Sequence, residues 1–136
     1  MNNVVTFGEI LMRLSPKESK KLEQVASLDY YFGGTEMNVA ASLARMGSEV
    51  KHISQISNDF IGESLTRVLK GYGIDTSYII RANFPLGIYF MESGSSLRGG
   101  RISYNRLHSA FANIGPKSFN WNKILKDSNH FHWTGI

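Results

Sequence analysis

The stretch Gly33-Gly34-Thr35-Glu36-Met37-Asn38 is the first place where residue types and spacing allow chemistry. Two adjacent glycines let a backbone approach a bound molecule closely, and the free N–H groups of a following helix bind polar oxygens. Asn38 adds donors and an acceptor, a set that suits a sugar hydroxyl. The same residues also describe a plain strand-to-helix turn, so alone they leave both readings open. A second group is Arg98, Arg101 and Arg106, interleaved with Gly, Ser and Tyr. Three arginines near tyrosines suit one small anion such as a carboxylate, or else stand as solvated hairpin charges. His130 and His132 share one side of a strand at i, i+2 spacing, but no third ligand sits nearby, so structural or solvent roles are expected rather than a metal site. Glu9 and Asp59 read as an acid/base pair or, more simply, as a strand-end carboxylate and a helix cap. No Ser/His/Asp order resembling a hydrolase is present.

These residues need elements to position them. Asn3 to Phe7 is a short β-branched run stopped by Gly8, which predicts a buried strand. Ile10 to Leu14 predicts a second short strand before Ser15-Pro16. Lys17 to Lys21 reads as loop, and Leu28 to Phe32 as an aromatic strand. Thr35 to Met46 is the clearest helix, with Thr35 as its N-cap and Glu36 in the first turn. Val39, Ala40, Leu43, Ala44 and Met46 form its apolar stripe, and Gly47 its stop. Val50 to Ile56 is the next strand. Asn58 or Asp59 then caps a helix with Ile61, Leu65, Val68 and Leu69 inside, ended by Gly71 and Gly73. Tyr78 to Arg81 is a further core strand. Gly87 to Glu92 and Arg101 to Tyr104 flank the turn Ser93 to Gly100. Leu107 to Ala112 and Trp121 to Lys126 predict short helices, and His130 to Thr134 a last core strand.

Strand and helix alternate, which implies βαβ units and a mostly parallel sheet. The segments 10–32 and 87–104 break the alternation and are expected to form a small separate sheet over the main one. A final strand without a covering helix leaves an exposed parallel edge, so the sequence is expected to be a piece of something longer.

Composition narrows the classes. The 136 residues suffice for one domain with a core but not two. With 42% hydrophobic and 19% charged residues, the balance is that of an ordinary globular chain. No apolar run approaches the ~20 residues of a membrane span. MNNVVTFGEI lacks the basic start of a signal peptide, and the absence of cysteine excludes disulfides and thiolate metal sites. A cytoplasmic location is expected. The net charge of +4 is mild and forms no basic stripe, so neither nucleic acid nor membrane is an expected partner.

Gly33-Gly34-x-x-x-Asn38-Val39-Ala40, with Gly47 after six more residues, resembles the first signature of the PfkB (ribokinase-like) carbohydrate kinases. Ile53-Ser54-Gln55-Ile56-Ser57-Asn58-Asp59-Phe60-Ile61-Gly62, Gly71-x-Gly73-Ile74-Asp75-Thr76 and the opening Thr6-Phe7-Gly8-Glu9 continue the resemblance in order. Gly8 to Pro16, Gly87-Ile88-Tyr89-Phe90 and Tyr104-Asn105-Arg106-x-x-Ser109-Ala110 look most like the 2-keto-3-deoxygluconate kinases of that family. Ser57 and Asn58 depart from it where many members carry Gly and Asp. Glu36 departs from the general signature but resembles the keto-deoxygluconate branch.

The resemblance implies a ribokinase-like α/β fold: a mostly parallel sheet flanked by helices, with a small β-sheet lid. It implies that residues 1–136 are the N-terminal part of a kinase domain, with lid strands in about 10–32 and 87–104. It implies that Gly33, Gly34 and Asn38 meet the sugar from the floor of the cleft, and Tyr89, Tyr104 and Arg106 from the lid. The Arg106 fork suits a carboxylate, and each tyrosine offers a ring face and a phenol donor. Read from the residues alone, the tyrosines also fit alternate positions on a half-buried sheet. The family's catalytic Asp lies in a Gly-Ala-Gly-Asp-like motif, and no Gly-x-Gly-Asp occurs in this sequence. No Walker-type or kinase Gly-rich loop occurs either. ATP and Mg2+ are therefore expected in full-length members, with none bound by these residues alone, and no turnover from them. The expected parent activity is phosphorylation of a sugar acid such as 2-keto-3-deoxygluconate. The alternatives are a fructokinase- or ribokinase-like specificity, or a non-catalytic module that binds sugar or forms a homodimer through lid strands.

Overall fold

The structure, a computed structural model, describes residues 3–135. Among the described residues, two four-stranded sheets, three α-helices and two short 3-10 turns make up the regular elements. The main sheet contains β1 (Asn3–Phe7), β4 (Glu49–Ser57), β5 (Ile79–Ala82) and β8 (His130–His132), in the order β5-β4-β1-β8 and parallel throughout. The smaller sheet contains β2 (Leu11–Ser15), β3 (Asp29–Gly33), β6 (Gly87–Glu92) and β7 (Arg101–Asn105), in the order β3-β2-β6-β7. The fold is the expected α/β architecture, and the two segments that break the strand–helix alternation supply the second sheet.

Strand β1 is buried on both faces, and alternation divides its side chains. Val4 joins Ile10, Met37, Ala40, Val50, Ile56, Leu65 and Leu69 on the face covered by α1 (Thr35–Arg45) and α2 (Phe60–Gly71). Val5 turns the other way and packs with Ile53 and Ile124, the latter from α3 (Trp121–Leu125). Phe7, Phe119 and Trp121 extend that second cluster, with Phe7 and Trp121 edge-to-face at 5.2 Å. Removing a fully buried leucine such as Leu65 or Leu69 would cost roughly 2–5 kcal/mol. Among the described residues no helix is long and apolar enough to cross a membrane.

Helix ends show where local sequence prevails. Asp59 is the cap of α2: its Oδ1 accepts from Gly62 N at 3.0 Å and from Ser57 Oγ at 2.7 Å. These donors, the Gly62 amide first, hold the Asp59 carboxyl below its usual range. Gly47 (φ +89°) and Gly73 (φ +81°) follow α1 and α2 in the left-handed conformation that closes a helix.

Four expectations need correction. Thr35 is the first helical residue, not the cap. Gly34 holds the cap position with extended backbone, and no side chain bonds the first-turn amides. Met46 lies outside the apolar stripe at 81% exposure, because it follows the last helical turn. Leu107 to Ala112 does not form a helix; only the 3-10 turn Phe111–Asn113 is present. There the backbone of Ala110 is engaged elsewhere: its N–H donates to Pro85 O and its carbonyl accepts from Gln55 Nε2, both at 2.7 Å. The arginine trio also separates. Arg101 donates to the buried Glu92 carboxylate at 2.8 and 2.9 Å, and Arg98 stands 3.6 Å from it, so these two brace the small sheet. Arg106 alone of the three reaches the cavity described next.

Candidate functional site

A cavity of about 580 Å³ opens where the carboxyl ends of β1 and β8 meet the start of α1, with the small sheet on its other side. Crevices at the carboxyl ends of parallel strands are where α/β folds bind ligands. Phe7, Gly8 and Glu9 reach it from the end of β1, and Trp133, Thr134 and Gly135 from beyond β8. Gly33, Gly34, Thr35, Glu36 and Asn38 enter from the turn into α1, and Tyr89, Tyr104 and Arg106 from the small sheet. The six residues singled out by motif therefore line one cavity, although they are up to 73 positions apart (106 − 33 = 73).

The two glycines differ. A side chain on Gly34 would run into the carbonyl oxygen of Glu9, so the turn into α1 packs directly on the chain that leaves β1. A Cβ on Gly33 would meet no protein atom within 4 Å and would point into open space. Asn38 is exposed, and its backbone N–H donates to Gly34 O at 2.8 Å while its side chain has no bond among the described residues. Glu36, expected to favour the helix start by its charge, has a larger structural part. It is buried at 4% exposure and accepts hydrogen bonds from the Thr134 backbone N–H, at 3.1 Å, and from the Thr134 hydroxyl. It ties α1 to the segment after β8.

The roof follows from strand register. Arg13 is paired with Tyr31 on one side and Tyr89 on the other, and Tyr89 is paired with Tyr104. Cross-strand partners share a face. A row Tyr31–Arg13–Tyr89–Tyr104 therefore crosses all four strands, and every member lines the cavity. Tyr89 and Tyr104 rings are 5.5 Å apart. The Arg106 guanidinium lies 5.6 Å from the Tyr104 ring, and that of Arg13 lies 4.6 Å from the Tyr31 ring. Arg106 Nε also contacts Glu9 Oε2 at 3.1 Å, and Glu9 Oε1 accepts from Ser109 Oγ at 2.6 Å. Burial pushes the Glu9 carboxyl above its ordinary range, against the opposing effects of Ser109 and Arg106.

The pfkB family carbohydrate kinases match this chain over residues 1–136. The chain belongs to that family. A 2-dehydro-3-deoxygalactonokinase of Haloferax volcanii is 29% identical over 133 residues, which cover 98% of this chain and 42% of the relative. The crystal structure of a 2-dehydro-3-deoxygluconokinase from Thermotoga maritima superposes with a TM-score of 0.94 at 41% identity, covering 97% of this chain and 40% of that one. A sugar kinase of Pyrococcus horikoshii, solved in complex with ATP, superposes at 0.80 with 26% identity, covering 89% of this chain and 39% of that one. This pfkB chain thus spans about two fifths of the length of the proteins it matches.

The charged groups of the cavity are two carboxylates, Glu9 and Glu36, and two guanidinium groups, of which Arg106 is paired with Glu9. No group of three or more His, Asp or Glu side chains converges to hold a metal among the described residues. Asp59 and Glu9 do not form an acid/base pair, since Asp59 caps α2 and does not line the cavity. Arg13, Tyr31 and Trp133, which also line the cavity, were not legible as site residues. Arg13 and Tyr31 gave one usable signal, an i, i+2 relation to Leu11 and Gly33, but only the strand register puts them beside Tyr89.

Proposed function

We propose that this chain forms the sugar-binding half of an ATP-dependent carbohydrate kinase that phosphorylates a sugar acid such as 2-keto-3-deoxygluconate. In this reading residues 1–136 are the N-terminal part of the kinase domain, the strands in about 10–32 and 87–104 are its lid, and the nucleotide site lies in another part of the protein. The observation that carries it is one cavity bounded by Gly33, Gly34 and Asn38 on one side and by Tyr89, Tyr104 and Arg106 on the other. The open space over Gly33 lets a sugar carbon approach the backbone, and the free Asn38 amide offers hydroxyl partners. Arg106 spends its Nε on Glu9 and keeps its outer nitrogens for a carboxylate. The tyrosines cover the apolar face of the substrate and exclude water around it.

ATP would supply the phosphoryl group, and the residues here would hold and orient the hydroxyl that receives it. Names of related proteins support a sugar-acid substrate: two of them act on 2-dehydro-3-deoxy acids. The reading includes a cytoplasmic location. It also includes a homodimer formed through the small sheet, whose edge strand β7 is exposed along its whole length. Calorimetric titration of the protein carrying this chain with 2-keto-3-deoxygluconate, against fructose and ribose, tests the substrate. Selective binding of the acid supports the reading, and preference for either neutral sugar replaces it with a fructokinase- or ribokinase-like specificity. ATP-dependent phosphorylation of the bound acid separates a kinase from a non-catalytic sugar-binding module.

A further inference from the structure

We infer that Arg13 is a second reader of the substrate's anionic group and a specificity-determining residue of the cavity. The inference rests on the sugar-acid reading above and deepens it.

The cavity has two guanidinium groups, and their electrostatic situations differ. Arg106 has a counter-ion, Glu9, at 3.1 Å. Arg13 has no carboxylate within ion-pair distance among the described residues, and its Nε is buried without a hydrogen-bond partner. The buried Nε is closed to a ligand, so an entering anion meets the outer nitrogens of this half-buried guanidinium, which make no hydrogen bond among the described residues. The one partner it has is the Tyr31 ring at 4.6 Å, which fixes the plane of the group but satisfies no N–H.

Register sets where that charge stands. Arg13 lies between Tyr31 and Tyr89, and the pair Tyr89–Tyr104 continues to Arg106. Glu9 and Glu36, the carboxylates at the cavity, are engaged by Arg106 and Ser109 and by Thr134 respectively. The uncompensated positive charge of the cavity is therefore that of Arg13. An entering carboxylate gains more from it than from Arg106, whose field Glu9 already offsets. A planar fork held against an aromatic ring is pre-oriented for such a group, and Lys is not its equivalent.

The test uses the protein carrying this chain, with Arg13→Met and Arg13→Lys variants. Calorimetry measures binding of 2-keto-3-deoxygluconate and of its uncharged methyl ester. The expected result is that Arg13→Met weakens the acid by about tenfold or more and leaves the ester within about twofold. Arg13→Lys keeps the charge without the fork, loses the acid by several-fold, and supplies the answer if the Met variant fails to fold. Equal losses for acid and ester, or no loss for either, would overturn the assignment and leave Arg13 a packing partner of Tyr31. A wild-type protein that binds acid and ester alike would overturn the sugar-acid reading together with it, so the two failures are told apart by the wild-type protein alone.

Discussion

Arg106 and Glu9 meet at 3.1 Å inside the cavity, although 97 positions separate them in the chain (106 − 9 = 97). The contact joins the residue that follows the small sheet to the end of the central strand β1. It also fixes which edge of the guanidinium faces Glu9 and which remains for a ligand.

Arg106→Gln should therefore weaken a sugar acid more than a neutral sugar. A hydrogen-bonded charge pair is worth about 1.5–3 kcal/mol, so a loss of roughly tenfold to a hundredfold is expected for the acid. Fructose should change by no more than a few-fold. Equal losses for both in a titration would remove Arg106 from the role of carboxylate partner.

Gly33 and Gly34 should respond in opposite ways to alanine. Gly34→Ala drives a methyl into the Glu9 carbonyl, so thermal melting should show a clear destabilisation, of about 1–3 kcal/mol for overpacking. Gly33→Ala meets no protein atom and should melt like the wild type, yet bind sugar poorly because the methyl occupies ligand space. A Gly33→Ala protein with unchanged affinity would place the ligand elsewhere.

His52 makes stability depend on pH. It is fully buried, Thr6 Oγ1 lies 2.7 Å from its Nδ1, and burial pushes its pKa down to about 4. The folded chain keeps this ring neutral while the unfolded chain takes a proton near pH 6.5. The unfolded state thus binds more protons as pH falls from 6.5 to 4, and stability drops over that window, by about 3 kcal/mol at most. His52→Asn retains a partner for Thr6 without titrating there. Urea melts at pH 5 and 7 should show a smaller difference for the variant than for the wild type.

Asp59 is expected to act through its cap alone. Asp59→Ala should cost about 1 kcal/mol and Asp59→Asn much less, since Asn caps nearly as well. Sugar affinity should be unchanged in both variants, as Asp59 is outside the cavity. An affinity loss in Asp59→Asn with normal stability would show that the carboxylate has a part in binding.

Much of the fold was legible because its determinants are local. The Asn3–Phe7 strand, the helix from Thr35 and its stop at Gly47, and the Asp59 cap each follow from a few neighbouring residues. The alternation of strand and helix gave the parallel sheet, and the two interruptions gave the smaller one. Local signals also misled where distant partners intervene. Residues 107–112 have helical composition, but Ala110 is claimed by Pro85 and Gln55. Arg98 and Arg101 resemble Arg106 in sequence, but Glu92 holds them away from the cavity.

The sequence by itself determined the family and the α/β fold, because spacing around glycines and caps is a short-range code, and the family resemblance implied Gly33, Gly34, Asn38, Tyr89, Tyr104 and Arg106 as sugar contacts. Only the tertiary structure decided that these six share a cavity with Arg13, Glu9 and Thr134, and that Ser109 holds Glu9 from behind. Pairing between β2 and β6 brings Arg13 beside Tyr89 across 76 positions (89 − 13 = 76), and no local preference encodes such a register. It is set by which faces the two sheets bury, a property of the folded chain as a whole.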